Sequence, residues 1–203
     1  MNTRDTSQIL QTAARLAVDE GMDWGAAKRR ALHELGLPAR TPLPDNLRME
    51  DAVREHIALF HAQTQPRELR ALRELALAWM VRMQAFRPYL GGAVWRGTAT
   101  RRNDVVISLF CDDPKSAEIA LINLQIPYEP HTVIGLRGEP VEALGIRAQA
   151  CGAGDEAWVH LLIYDVDDLR GALRADARGR LPRGDIAAVR RLLDDAPSGT
   201  LAP

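Results

Sequence analysis

Between Gly92 and Val106 the chain reads GAVWRGTATRRNDVV, which places two glycines, three arginines and one carboxylate in a short stretch. Glycine reaches turn angles that other residues avoid, and a glycine-rich turn lets backbone N–H groups approach a phosphate. Arg96, Arg101 and Arg102 carry planar guanidinium groups that match phosphate oxygens. Asp104 offers the oxygen ligands that a hard divalent cation takes. These residue types suit the holding of a phosphorylated ligand. They suit ordinary structure equally: Gly92 and Gly97 as strand-to-turn glycines, Asp104 after Asn103 as a strand start, the arginines as a solvated loop.

Elsewhere the chemistry is sparse. Among His33, His56, His61, His131 and His160, only His56 and His61 approach a ligand spacing. An i, i+5 pair falls on poorly aligned helix positions, so this pair is expected at the surface. Cys111 ends an apolar run and is expected to be a small buried hydrophobe, not a nucleophile. Cys111 and Cys151 are too few for a disulfide framework, so free thiols and a cytoplasmic setting are expected. There is no G-x-x-x-x-G-K-[ST] phosphate loop, no G-x-S-x-G elbow, no C-x-x-C pair and no dinucleotide fingerprint.

The spacing Gly92, Arg96-Gly97-Thr98-Ala99, Asp104 resembles a degenerate signature of the DNA polymerase β-like nucleotidyltransferases. That signature runs Gly-Ser, a short spacer, Arg-Gly-Thr-Ala, then Ser-Asp-x-Asp opening a strand. Ala93 stands where the family has its phosphate-contacting Ser, and Val106 where it has its second metal-binding Asp. Carboxylates at i and i+2 of one strand point to the same face, which explains the Asp-x-Asp spacing. The resemblance spans roughly residues 70–165. It implies that Asp104 and Glu142 are the catalytic and metal-holding carboxylates, Glu142 being the third acid at the start of a strand. It also implies that Gly92, Arg96, Gly97 and Thr98 form the nucleotide-binding turn. Asp112 and Asp113 lie too far along to replace Val106 without a different site. Mg²⁺ would be the cofactor of an active enzyme; otherwise none is implied.

Three functions follow as expectations. The missing Ser and Asp favour a degenerate nucleotidyltransferase-like protein that binds a nucleotide or phosphorylated small molecule with little or no catalysis. The alternatives are an active metal-dependent nucleotidyltransferase and an interaction or scaffold module. The last would use its helices to bind a second copy or a helical protein partner.

The elements that must position these residues are legible as patterns. Thr6 or Ser7 caps a first helix over about 6–20. Asp23 caps a second that stops near Gly36 and Pro38. Asp45 or Asn46 caps a third to about 62, and Pro66 opens a fourth to Phe86. On the fourth, Leu69, Leu72, Ala76, Trp79, Met80 and Met83 recur at helical steps and predict packing between antiparallel helices. Leu90–Trp95 and Val105–Phe110 then read as adjacent antiparallel strands joined by the polar turn 100–103. A helix over about 113–124, strands near 131–136, 141–150 and 157–164, and helices near 167–175 and 184–193 complete the pattern. Gly152 and Gly154 punctuate it, and the tail SGTLAP reads as frayed. The expected fold class is α+β. A helical extension over 1–65 precedes a nucleotidyltransferase-type domain over 66–203 with a small mixed sheet and flanking helices.

Composition limits the partners. A content of 46% hydrophobic residues supports a real core, and a net charge of −1 argues against a nucleic-acid footprint. No apolar run approaches the roughly 20 residues that span a bilayer, and the start lacks a signal-peptide apolar region. Lys28 and Lys115 are the only lysines, an arginine bias that points to a GC-rich bacterial genome.

Overall fold

The computed structural model describes residues 3–150 and 156–195; Cys151, Gly152, Gly154 and the SGTLAP tail lie outside them. The fold is α+β, with a helical N-terminal region and a five-stranded mixed sheet. It divides into two compact units, residues 1–66 with 98–102 and residues 67–97 with 103–203. Among the described residues no helix is long and apolar enough to cross a membrane.

The first unit holds α1 (Thr3–Asp19), α2 (Trp24–Glu34) and α3 (Asn46–Phe60), with α1 packed against both others. The capping residues act as their types dictate. The Asp23 carboxylate accepts from the Ala26 N–H at 3.0 Å, and that of Asp45 from the Arg48 N–H at 2.8 Å. Ile9, Ala13, Leu16, Ala31, Met49 and Val53 form the buried seam. Lys28 is buried without a carboxylate partner among the described residues; its Nζ donates to the Pro44 carbonyl and to Asn46 Oδ1, both at 2.9 Å. The segment 98–102 is tied into this unit by Gln65 Nε2 donating to the Ala99 carbonyl at 3.0 Å.

α4 (Gln65–Arg82) starts in the first unit and continues as the first helix of the second. Its stripe is buried as its spacing requires, with Leu72 2% exposed and Ala76, Met80 and Met83 fully enclosed. From Arg67 on, α4 belongs to the unit that holds the sheet, and its arginines bond to two helical segments of that unit: Arg73 Nε donates to the Val94 carbonyl at 3.3 Å, and an Arg70 N–H to the Leu193 carbonyl at 3.2 Å. An apolar stripe specifies burial but not what buries it.

Then follow β1 (Tyr89–Gly91), α5 (Gly92–Arg96), β2 (Val105–Cys111), α6 (Lys115–Asn123), β3 (Glu129–Ile134), β4 (Pro140–Gln149), β5 (Glu156–Asp165), α7 (Leu169–Ala172) and α8 (Ile186–Asp194). The sheet order is β1-β2-β5-β4-β3, with β2 and β5 parallel and the other neighbours antiparallel. The expected antiparallel pair is present, with Leu90 opposite Ile107 and Gly91 opposite Val106. Its first strand is shorter than expected, because Leu90–Trp95 does not stay extended. Gly92 turns to φ +66°, and residues 92–96 wind into a helical turn. Short apolar runs do not tell strand from helix by periodicity.

Candidate functional site

Register decides which side chains share a face, since directly paired residues project to the same side. One face carries Val105, Ile107, Leu109, Val159, Leu161 and Leu144, all fully buried. The other carries Val106, Ser108 and Phe110 of β2 beside His160, Leu162 and Tyr164 of β5. Phe110 stacks on Tyr164 with centroids 5.5 Å apart, and both pack on Ala172 of α7. Toward Val106 this second face opens, and the chemistry gathers there.

Asp104 immediately precedes β2, in phase with Val106, and its Oδ2 lies 3.2 Å from His160 Nε2. The His131 and His160 rings form a T-shaped pair with centroids 5.0 Å apart, and the Trp158 ring stacks on His160 with centroids 6.0 Å apart. The other ring nitrogen of His160 is buried without a hydrogen-bond partner among the described residues. Gly92 lies above this face: a Cβ there would stand 3.7 Å from Val106 Cβ. Gly92 and the Val106 side chain therefore face each other.

The remaining expected site residues are distributed differently. Glu142 alternates with Ala143 and so shares the buried face of Leu144, opposite to that of Asp104. Position 104 is level with Trp158 and position 142 with Ile163, so the two carboxylates are also offset by about 17 Å along the strands at ~3.3 Å per residue. Glu142 instead accepts from Lys115 Nζ at 3.2 Å. Hydrogen bonds to Glu118 first, and to Glu142 second, hold that ammonium above its ordinary pKa. Asp104 and Glu142 thus do not gather around one cation, Val106 supplies no oxygen, and the residues do not fit a Mg²⁺ centre. Arg96 is half-buried, and Gly97 closes α5 at φ +77°. Thr98 is 3% exposed with its hydroxyl buried, so it displays no donor to a ligand. Arg101 and Arg102 are exposed. Cys111 is buried as expected; burial, with Asp113, Asp112 and Asp165 nearby, pushes its thiol pKa up.

Sequence reasoning missed Arg183. The segment leading to it is pinned to β1 and α5. Gly184 and Leu90 exchange backbone hydrogen bonds at 2.8 and 3.0 Å, and Trp95 Nε1 donates to the Leu181 carbonyl at 2.8 Å. No side chain fits at Gly184, because a Cβ would stand 2.2 Å from the Trp95 ring. Gly184→Ala is therefore expected to destabilise the protein by about 1–3 kcal/mol through overpacking. A denaturant melt shifted by less than about 0.5 kcal/mol would contradict this positioning.

So held, Arg183 reaches the open face, and its guanidinium donates to Ser108 Oγ at 3.2 Å. Its Nε is buried without a partner, and it has no carboxylate partner among the described residues. Burial pushes its pKa down, and nearby Tyr164 opposes that shift. A cavity of about 270 Å³ opens beside it, walled also by Leu136, Arg137, Asp168 and Pro182. Arg137 and Asp168 neutralise each other as an ion pair, while Asp167 stands exposed at the cavity wall. A partly desolvated cation beside a cavity can receive an anion.

In the first unit, His56 and His61 are not the separate surface residues that their spacing suggests. Their Nε2 atoms lie 3.1 and 2.8 Å from the same Asp19 Oδ1. α3 ends at Phe60, and His61 caps it at φ −127°, which swings the ring out of helical phase and toward its partner. Burial raises the Asp19 carboxyl, but hydrogen bonds from His61 and His56, together with the electrostatic attraction of both rings, hold the acid below its ordinary pKa.

Compared with known protein families and with curated proteins, the chain matches none.

Proposed function

We propose that the second unit is a degenerate nucleotidyltransferase-like module that binds a nucleotide or another phosphorylated small molecule without catalysing transfer. Arg183 carries this reading: a partly buried guanidinium without a carboxylate partner among the described residues, beside a cavity of about 270 Å³. That space suits a phosphate with its sugar. The phosphate takes the guanidinium donors, and the exposed Asp167 accepts from sugar hydroxyls.

The absence of catalysis follows from the carboxylates. In-line transfer to a phosphate uses two cations to neutralise developing charge. Here Asp104 is hydrogen-bonded to His160, position 106 is apolar, and Glu142 occupies the other face. The charge that meets the phosphate comes from arginine, so binding needs no metal.

The double replacement Ala93→Ser and Val106→Asp tests this reading. It restores a hydroxyl beside Gly92 and a carboxylate beneath it, where a Cβ added at Gly92 would stand 3.7 Å from Val106 Cβ. Thermal-shift titration with ATP is expected to show binding to the unmodified protein in EDTA. In the double variant, Mg²⁺ should strengthen it by about tenfold or more, a gain of roughly 1.4 kcal/mol. Robust Mg²⁺-dependent transfer by the unmodified protein, lost in Asp104→Ala, would refute the degenerate reading. Failure of both proteins to bind any nucleotide or sugar phosphate would refute ligand binding.

A further inference from the structure

We propose that Asp19, His56 and His61 form a binding site for a divalent transition-metal ion of the Zn²⁺ class. The site lies wholly within the first unit and is independent of the phosphate-binding reading. Its donors are two imidazole Nε2 atoms and one carboxylate oxygen, all within 4.8 Å of one another. The mixture of nitrogen and oxygen donors selects Zn²⁺ and its neighbours over Mg²⁺ and Ca²⁺, which take oxygen.

The geometry needs only side-chain adjustment. Around tetrahedral Zn²⁺, with bonds of about 2.0–2.2 Å, neighbouring donors stand about 3.3–3.5 Å apart. The two Asp19–His separations, 2.8 and 3.1 Å, would open by about half an ångström. Without a metal, one carboxylate oxygen serves two imidazoles. With one, each donor lone pair has its own bond.

The backbone supports a cation at the same place. Asp19 is the last residue of α1, and His61 caps α3 with its N–H on the Ile57 carbonyl at 2.8 Å. Two helix C-termini, the negative ends of two dipoles, converge on the site. The side chains of His56, His61 and Asp19 are 14%, 28% and 38% exposed, enough for an ion to enter from solvent. Three protein ligands leave a fourth position for water or an exchangeable ligand, and the bound ion would join the ends of α1 and α3.

Chelator-treated full-length protein, titrated with ZnCl₂ by calorimetry, is expected to take up one equivalent and to melt several degrees higher when loaded. Co²⁺ in place of Zn²⁺ is expected to give the visible absorption of a four-coordinate site. His61→Gln and the isosteric Asp19→Asn should each weaken Zn²⁺ uptake at least tenfold. Unchanged uptake in both variants would overturn the proposal. Independently of any variant, the absence of a saturable Zn²⁺ equivalent and of the Co²⁺ band in the unmodified protein would also overturn it.

Discussion

Arg183→Met is expected to weaken binding of a phosphorylated ligand by roughly 30- to 5,000-fold while leaving the protein as stable as before, or more so. Truncating one partner of a desolvated charge pair costs about 2–5 kcal/mol of affinity, and each 1.4 kcal/mol is about tenfold. The stability term has the opposite sign. The guanidinium is partly buried with no carboxylate paired to it among the described residues, and its Nε bonds to nothing there. Methionine keeps a flexible stem of similar length and removes the desolvated charge. The lost bond to Ser108 offsets about 1 kcal/mol of that gain. Calorimetric titration with ATP, paired with denaturant melts, reads both quantities. Unchanged affinity with a stability loss above about 2 kcal/mol would make Arg183 a structural residue and remove the basis for a phosphate site.

Leu72→Ala is expected to cost about 2–5 kcal/mol. Leu72 is 2% exposed at the centre of the α4 stripe, so truncation removes transfer energy and leaves a cavity that the helix cannot close alone. The total stability of a protein this size is about 5–15 kcal/mol, so much of the folding margin is at stake. Ile119→Ala on α6 is the control, because Ile119 is 51% exposed and should change stability by less than about 0.5 kcal/mol. Similar melts for the two variants would show that the stripe is loosely packed.

What was legible in the sequence depended on local rules. Asp23 and Asp45 cap helices because a short carboxylate reaches the N–H groups three residues on, and that follows from sequence alone. The α4 stripe and β2 are periodic enough to name. The run from Leu90 to Trp95 is too short to separate strand from helix, and the turn at Gly92 decided it. The loss of extended structure after Gly91 weakens the strand–turn–strand basis of the resemblance. What remains is the antiparallel pair and the approach of Gly92 to Val106.

The site was less legible because it depends on long-range register. Glu142 and Asp104 looked like partners along the chain, but one step of strand phase sets them on opposite faces. His160 meets Asp104 through the parallel pairing of β2 and β5, which no local pattern announces. Arg183 sits in LPRGD, a sequence that reads as a turn, and is placed beside Ser108 by the Gly184–Leu90 bridge. His61 joins His56 through a non-helical cap that the i, i+5 spacing conceals.

The central claim is metal-independent phosphate binding, and calorimetric titration of the unmodified protein with ATP and with ribose 5-phosphate, in EDTA and again in Mg²⁺, tests it most directly. The account predicts saturable binding of at least one ligand in EDTA, with affinity changed less than about threefold by Mg²⁺, since arginine and not a cation meets the phosphate. Binding that appears only with Mg²⁺ and disappears in Asp104→Ala would contradict it.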